Sequence, residues 1–131
     1  MKFPFGPEYG LITIDTEING PSGSIIARLA LDTGATQTLL NAGVLSSIGL
    51  DAALSLRRME VTTGSSLEYS PVVDVPRIVC LGLIRQSFPV LCHTLPPSAG
   101  VDGLIGLDFL RGCKLSIDFV DSTIEIQTLT I

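Results

Sequence analysis

Leu29-Ala30-Leu31-Asp32-Thr33-Gly34-Ala35 sets a carboxylate directly after an apolar run, with a glycine two residues further on. The run reads as a strand entering the core, so Asp32 stands where burial would penalise a charge unless donors or a partner compensate. Most structural aspartates avoid this by sitting at caps and turns, where water helps. Asp32 merely opening a turn is therefore one reading of the triplet, and Asp-Thr-Gly alone does not decide against it.

The flanking sequence is built of short apolar runs separated by turn residues. Tyr9 to Asn19 alternates as a strand, Asn19-Gly20-Pro21-Ser22-Gly23 is a turn, and Ser24 to Asp32 returns as the second arm of a hairpin. After Asp32, Thr38-Leu39-Leu40 resumes strand. Asn41 is placed to cap a short helix over Ala42 to Ile48, with Gly49 ending it. Two strand-like stretches between Arg58 and Cys80 flank the polar tip Thr63-Gly64-Ser65-Ser66, and Pro71 and Pro76 mark the returning arm as an edge or a bulged strand. Gln86 to His93 predicts a strand, Pro96 to Gly100 a loop, Leu104-Ile105-Gly106 a brief buried strand, and Asp108 to Arg111 a helical turn. Lys114 to Phe119 and Thr123 to Thr130 close the chain as a hairpin through Asp121-Ser122. The expectation is an all-β domain spanning residues 1–131, with one or two short helices.

Composition removes several function classes. The net charge is −5 and the only adjacent cations are Arg57 and Arg58, a poor match to a phosphate backbone or an anionic membrane. No nucleic acid and no membrane are expected as partners. The longest apolar run, Ile78 to Ile84, is too short to cross a bilayer, and the N-terminus lacks the apolar stretch of a signal peptide. Three cysteines, Cys80, Cys92 and Cys113, make no disulfide framework, and with His93 as the sole histidine there is no zinc pattern. Free thiols in a reducing, cytoplasmic setting are expected, with no metal and no cofactor.

A second element gives Asp32 its weight. Val101-Asp102-Gly103-Leu104-Ile105-Gly106-Leu107-Asp108-Phe109-Leu110 is an apolar stretch ending in Gly, followed one residue later by Asp. Together with Asp32-Thr33-Gly34-Ala35, the segment Leu104 to Leu110 resembles the retropepsin family of aspartic proteases. The likeness is nearest to its cellular branch, which includes the protease domain of DNA-damage-inducible proteins. Cys113 to Phe119 resembles that branch too, and in element order the similarity runs from about Leu11 to Ile126.

The resemblance implies a closed β-barrel or sandwich with a flap hairpin, forming half of a two-fold homodimer. It makes Asp32 catalytic and assigns support of its loop to Thr33, Gly34, Ala35, Leu104, Ile105, Gly106 and Asp108. It assigns the substrate-covering flap to Thr63, Gly64 and Ser65, although a plain exposed turn fits that tip as well. Metal-free hydrolysis of a peptide needs a base and an acid, which two neighbouring carboxylates supply by sharing a proton. With a single Asp-Thr-Gly in the chain, the second carboxylate has to come from another copy. An extended peptide or protein segment is the expected substrate. Retroviral members often carry an Asp and an Arg where this chain has Thr36 and Leu107, so an ion pair is absent as a unit. Asp108 is then free to accept bonds from Thr38 or from amides near Thr36. The end of the chain, Thr123 to Ile131, fits either a strand interleaved with the partner or one completing its own sheet. A peptide-binding or assembly module without useful catalysis is the competing reading of the same fold.

Overall fold

The computed structural model describes residues 1–7, 10–63 and 66–128. Its strands are β1 (Lys2–Pro4), β2 (Thr13–Gly20), β3 (Gly23–Leu31), β4 (Leu39–Leu40), β5 (Arg58–Thr63), β6 (Ser66–Cys80), β7 (Leu83–Cys92), β8 (Gly103–Ile105), β9 (Cys113–Asp118) and β10 (Thr123–Thr128). Two short helices, α1 (Ala42–Ser47) and α2 (Leu107–Leu110), interrupt them. The protein is all-β in class.

Six strands close on themselves in the order β2-β3-β8-β4-β7-β6, the ring completed by pairing of β6 with β2 through Arg77–Asn19, Ile78–Ile18 and Val79–Glu17. Closure removes the free edges an open sheet would present. Alternation along the strands sends Ile18, Ala27, Leu29, Leu40, Val75, Ile78 and Ile105 inside at no measurable exposure, joined by Phe109 of α2 and Ile124 of β10. The Phe88 ring meets Phe109 edge-on at 5.4 Å between centroids.

Besides its closing contact with β2, the long strand β6 changes partner along its length. Ser66 to Pro71 pair with β5, and from Val72 onward the partner is β7. Pro71 stands at this handover. Pro76 has no bridge partner between Val75–Phe88 and Arg77–Gln86, and Ser87 opposite it has φ of 48°. A proline therefore sits where the ladder is already interrupted, and its missing N–H costs no bond.

Four sequence expectations shift. The strand expected from Gln86 begins at Leu83, because Leu81 and Gly82 (φ 53° and 74°) make a tight two-residue hairpin turn. Leucine rarely adopts such a φ, so no turn signal marked the spot. The strand expected from Tyr9 is β2 and begins at Thr13, where its register with Ala30 starts. Asn41 precedes α1 but does not cap it with its side chain. Its Oδ1 instead accepts the Leu95 N–H at 3.0 Å, and Thr94 Oγ1 takes the Ala42 N–H at 3.4 Å. The polar side chains at this helix start tie down the loop after β7. Helix α1 ends at Ser47 rather than Ile48, with Gly49 at φ 87° turning the chain away.

The end of the chain also takes a definite form. Strand β10 is the middle of a separate sheet, β1-β10-β9, so residues 123–128 complete a sheet within their own chain. Leu129, Thr130 and Ile131, the last part of the stretch weighed for interleaving, lie outside the described residues.

Candidate active site

The Asp32 loop hangs between β3 and β4, and β8 is inserted between those same two strands. It runs parallel to β3 (Leu29–Gly103, Ala30–Leu104, Leu31–Ile105) and antiparallel to β4 (Leu39–Leu104, Leu40–Gly103). A Cβ on Gly103 would lie 2.1 Å from the Leu39 carbonyl oxygen, so only glycine lets the strands approach this closely. Asp102, just before it, donates its N–H to Arg28 O at 2.8 Å and accepts the Arg28 N–H on Oδ2 at 2.9 Å. That carboxylate is occupied in extending the β3 ladder.

The segment after β8 locks the loop from below. The Asp32 N–H donates to Ile105 O at 3.0 Å, and the Leu107 and Asp108 amides donate to Ala35 O and Thr36 O at 2.8 and 3.3 Å. Thr38, fully buried, gives its hydroxyl proton to Asp108 Oδ1 at 2.8 Å and accepts the Gly106 N–H at 3.2 Å. The same Oδ1 receives the Thr38 N–H at 2.9 Å and the Phe109 N–H at 2.8 Å. A charged acceptor with several donors is among the stronger hydrogen-bond arrangements in proteins. The expected Thr38–Asp108 contact is thus present, and no ion pair at positions 36 and 107 is needed to join loop to helix. Gly106 is required sterically: its Cβ would meet Gln37 C, Gln37 O and Ala35 O at 2.6, 2.7 and 2.9 Å.

Asp32 itself is half-buried. Its Oδ1 accepts the Gly34 N–H at 2.9 Å, and its carbonyl takes the Ala35 N–H at 3.2 Å. Among the described residues no protein donor reaches Oδ2, so one carboxylate oxygen is fixed and the other is available. The carboxylate borders an open cleft of about 470 Å³. Gly34, Ala35, Thr36 and Gln37 form its loop side, Leu39, Leu91 and Leu104 its barrel wall, and Met59 and Glu60 of β5 the side of the β5–β6 hairpin. Leu39 and Leu91 belong to a small apolar cluster with Val72, against which Leu95 and Leu104 pack. The wall of the cleft is therefore the surface of a secondary core.

Of the residues singled out by sequence, Asp32, Gly34, Ala35 and Leu104 share this cleft, whereas Ile105, Gly106 and Asp108 lie behind it as support. Thr33 is exposed on the loop. Thr63 pairs with Ser66 at the end of β5, and Gly64 and Ser65 lie outside the described residues. Sequence reasoning missed Met59, Glu60 and Leu91. No local signal marks them, because they reach the cleft only through the pairing of β5 with β6 and of β7 with β4. Among the described residues no cluster of three or more His, Cys, Asp or Glu side chains suits a metal, and no helix is long and apolar enough to cross a membrane.

A barrel closed around an inserted strand, with an Asp-Thr-Gly loop held at its mouth, is the architecture of retropepsin-like aspartic proteases. The structure aligns with a retropepsin-like aspartic protease from Rickettsia conorii at a TM-score of 0.73 and 15% identity, covering 98% of this chain and 89% of that one. It aligns with EIAV protease complexed with the inhibitor HBY-793 at 0.52 and 19% identity, covering 83% and 92%. No curated protein sequence matches the chain significantly. The family model described as "gag-polyprotein putative aspartyl protease" matches residues 14–112, and the chain belongs to that family.

Proposed function

We propose that the protein is a homodimeric aspartic endopeptidase in which Asp32 of each copy forms one half of a catalytic pair. The observation that carries this reading is the setting of Asp32: a carboxylate with one oxygen held and one available, on a loop anchored by Gly106, Thr38 and Asp108, at the edge of an open cleft. One such group cannot serve as base and acid together. With a second copy across a two-fold axis, one carboxylate removes a proton from water as its oxygen attacks the scissile carbonyl carbon. The other, protonated, gives its proton to the departing amide nitrogen. Mutual repulsion keeps the pair singly ionised, the state this division of labour needs.

The roles of the neighbours follow. Thr33, exposed at the loop tip, would bond across the axis. The Gly34 amide orients the Asp32 carboxylate, and Ala35 keeps the cleft floor low. Leu104 and Ile105 back the loop with apolar surface that limits water. The β5–β6 hairpin would cover a peptide bound in extended form along the cleft, held largely through its backbone.

Asp32→Asn tests the reading. The expected result is loss of peptide cleavage with an unchanged circular dichroism spectrum and sedimentation profile. Cleavage should also rise with dimer fraction on dilution series of the unmodified protein. Proteolysis undiminished in the variant, or a stable monomer with full activity, sinks the proposal. A dimer that binds peptides without cutting them favours the binding-module reading.

A further inference from the structure

The cleft beside Asp32 carries charge of one sign only. Among the described residues its titratable lining groups are Asp32 and Glu60, and no Lys, Arg or His lines it. Glu60 is an exposed residue of β5, opposite Tyr69 on β6, and enters the cleft from the hairpin side. Arg57 of the same region is paired with Asp74, and neither it nor Arg58 is among the lining residues. The same cleft is lined by the apolar side chains of Leu39, Leu91, Leu104 and the half-exposed Met59, with Thr36 and Gln37 on its loop side. A cleft that combines apolar lining residues with a second acidic one suits a side chain with an aliphatic stem and a cationic tip. An acidic side chain in the same place would face unscreened like charge as the cleft is covered.

We propose that Glu60 is a specificity determinant, selecting peptides that place a lysine or arginine stem along Leu39, Leu91 and Met59 with its cation against the Glu60 carboxylate. The inference rests on the reading of this cleft as the peptide site, and it adds the charge class of the substrate. The contribution is that of a partly solvated ion pair, about 1.5-fold to fivefold in affinity, and it weakens as salt rises.

The test uses matched eight-residue apolar peptides in which each position in turn is lysine or norleucine, a stem of the same length without the ammonium group. Cleavage is followed by mass spectrometry, and binding is followed separately by anisotropy of fluorescein-labelled peptides on the Asp32→Asn protein. At one position the lysine peptide should be favoured about 1.5-fold to fivefold. Glu60→Gln should bring that ratio to near one, and Glu60→Lys should push it below one. If no peptide is cut by the unmodified protein, the peptidase reading fails, while the binding ratios still decide the role of Glu60. Lysine and norleucine peptides bound equally, a ratio unmoved by Glu60→Gln, or no peptide binding at all overturns the inference.

Discussion

Replacing Thr38 by valine asks how firmly the Asp32 loop is fixed. The substitution keeps the side-chain shape and opens no cavity, so its effect is confined to the hydroxyl. Two interactions vanish: the O–H donated to Asp108 Oδ1 at 2.8 Å and the acceptor for the Gly106 N–H at 3.2 Å. A bond to a charged acceptor contributes about 1.5–3 kcal/mol, and a buried amide left without a partner costs about 1–3 kcal/mol. Asp108 keeps the Thr38 and Phe109 amides, which limits the loss on its side. The two effects overlap, and a net destabilisation of about 2–4 kcal/mol is expected. Urea unfolding at fixed protomer concentration measures it, because any dimer makes apparent stability depend on concentration. The denaturant slope should be unchanged. Exchange of the Gly106 amide should quicken more than that of amides in the β2–β3 hairpin. Combined with Asp108→Ala, the variant should show a coupling energy of about 1–2 kcal/mol. A loss below about 1 kcal/mol, with no coupling to Asp108, would refute the claim that this network anchors the loop.

The remaining predictions concern other parts of the chain. Gly106→Ala forces a Cβ against backbone atoms at 2.6–2.9 Å, so it should destabilise by about 3 kcal/mol or prevent folding. Gly43→Ala, in α1 with nothing within 4 Å of the added carbon, should stabilise by about 0.5–1 kcal/mol in the same unfolding assay. Burial pushes the Cys80 thiol up to about 11, against the opposing effect of its bond from Thr16 Oγ1. Since the folded value is raised above the ordinary 9.0, the associated stability is intact below pH 9 and is lost as pH climbs toward 11. A Cys80→Ala variant should therefore show a shallower alkaline fall in stability than the unmodified protein. Native Cys80 should also react with thiol reagents only on unfolding, and rapid native labelling at neutral pH contradicts its burial.

Much of the β-architecture was legible along the chain because hydrophobic alternation and turn chemistry are local signals. The β2–β3 hairpin, the two arms flanking residues 63–66 and the β9–β10 hairpin all follow from them. The misreadings arose where a residue acted against its local preference. Leu81 took a left-handed turn conformation, and Asn41 spent its side chain on Leu95 rather than on the helix it precedes. Asp102 and Asp108 look alike in sequence, each an aspartate in the same ten-residue segment. One extends the β3 ladder at Arg28 and the other joins Thr38 to α2. Their partners lie 74 and 70 residues away, a separation that only the insertion of β8 between β3 and β4 closes.

The sequence by itself determined the all-β class, the strand that delivers Asp32 to a loop, the glycines that loop needs, and the presence of only one Asp-Thr-Gly. These are properties of short stretches, fixed by side-chain size, backbone freedom and burial. Only the tertiary structure decided that the barrel closes through β2 and β6 and that the last strand completes its own sheet. It also decided that Met59, Glu60 and Leu91 share a cleft with Asp32. Those outcomes depend on which strands pair across long separations, and pairing is set by the collective fit of the core rather than by any residue's own preference.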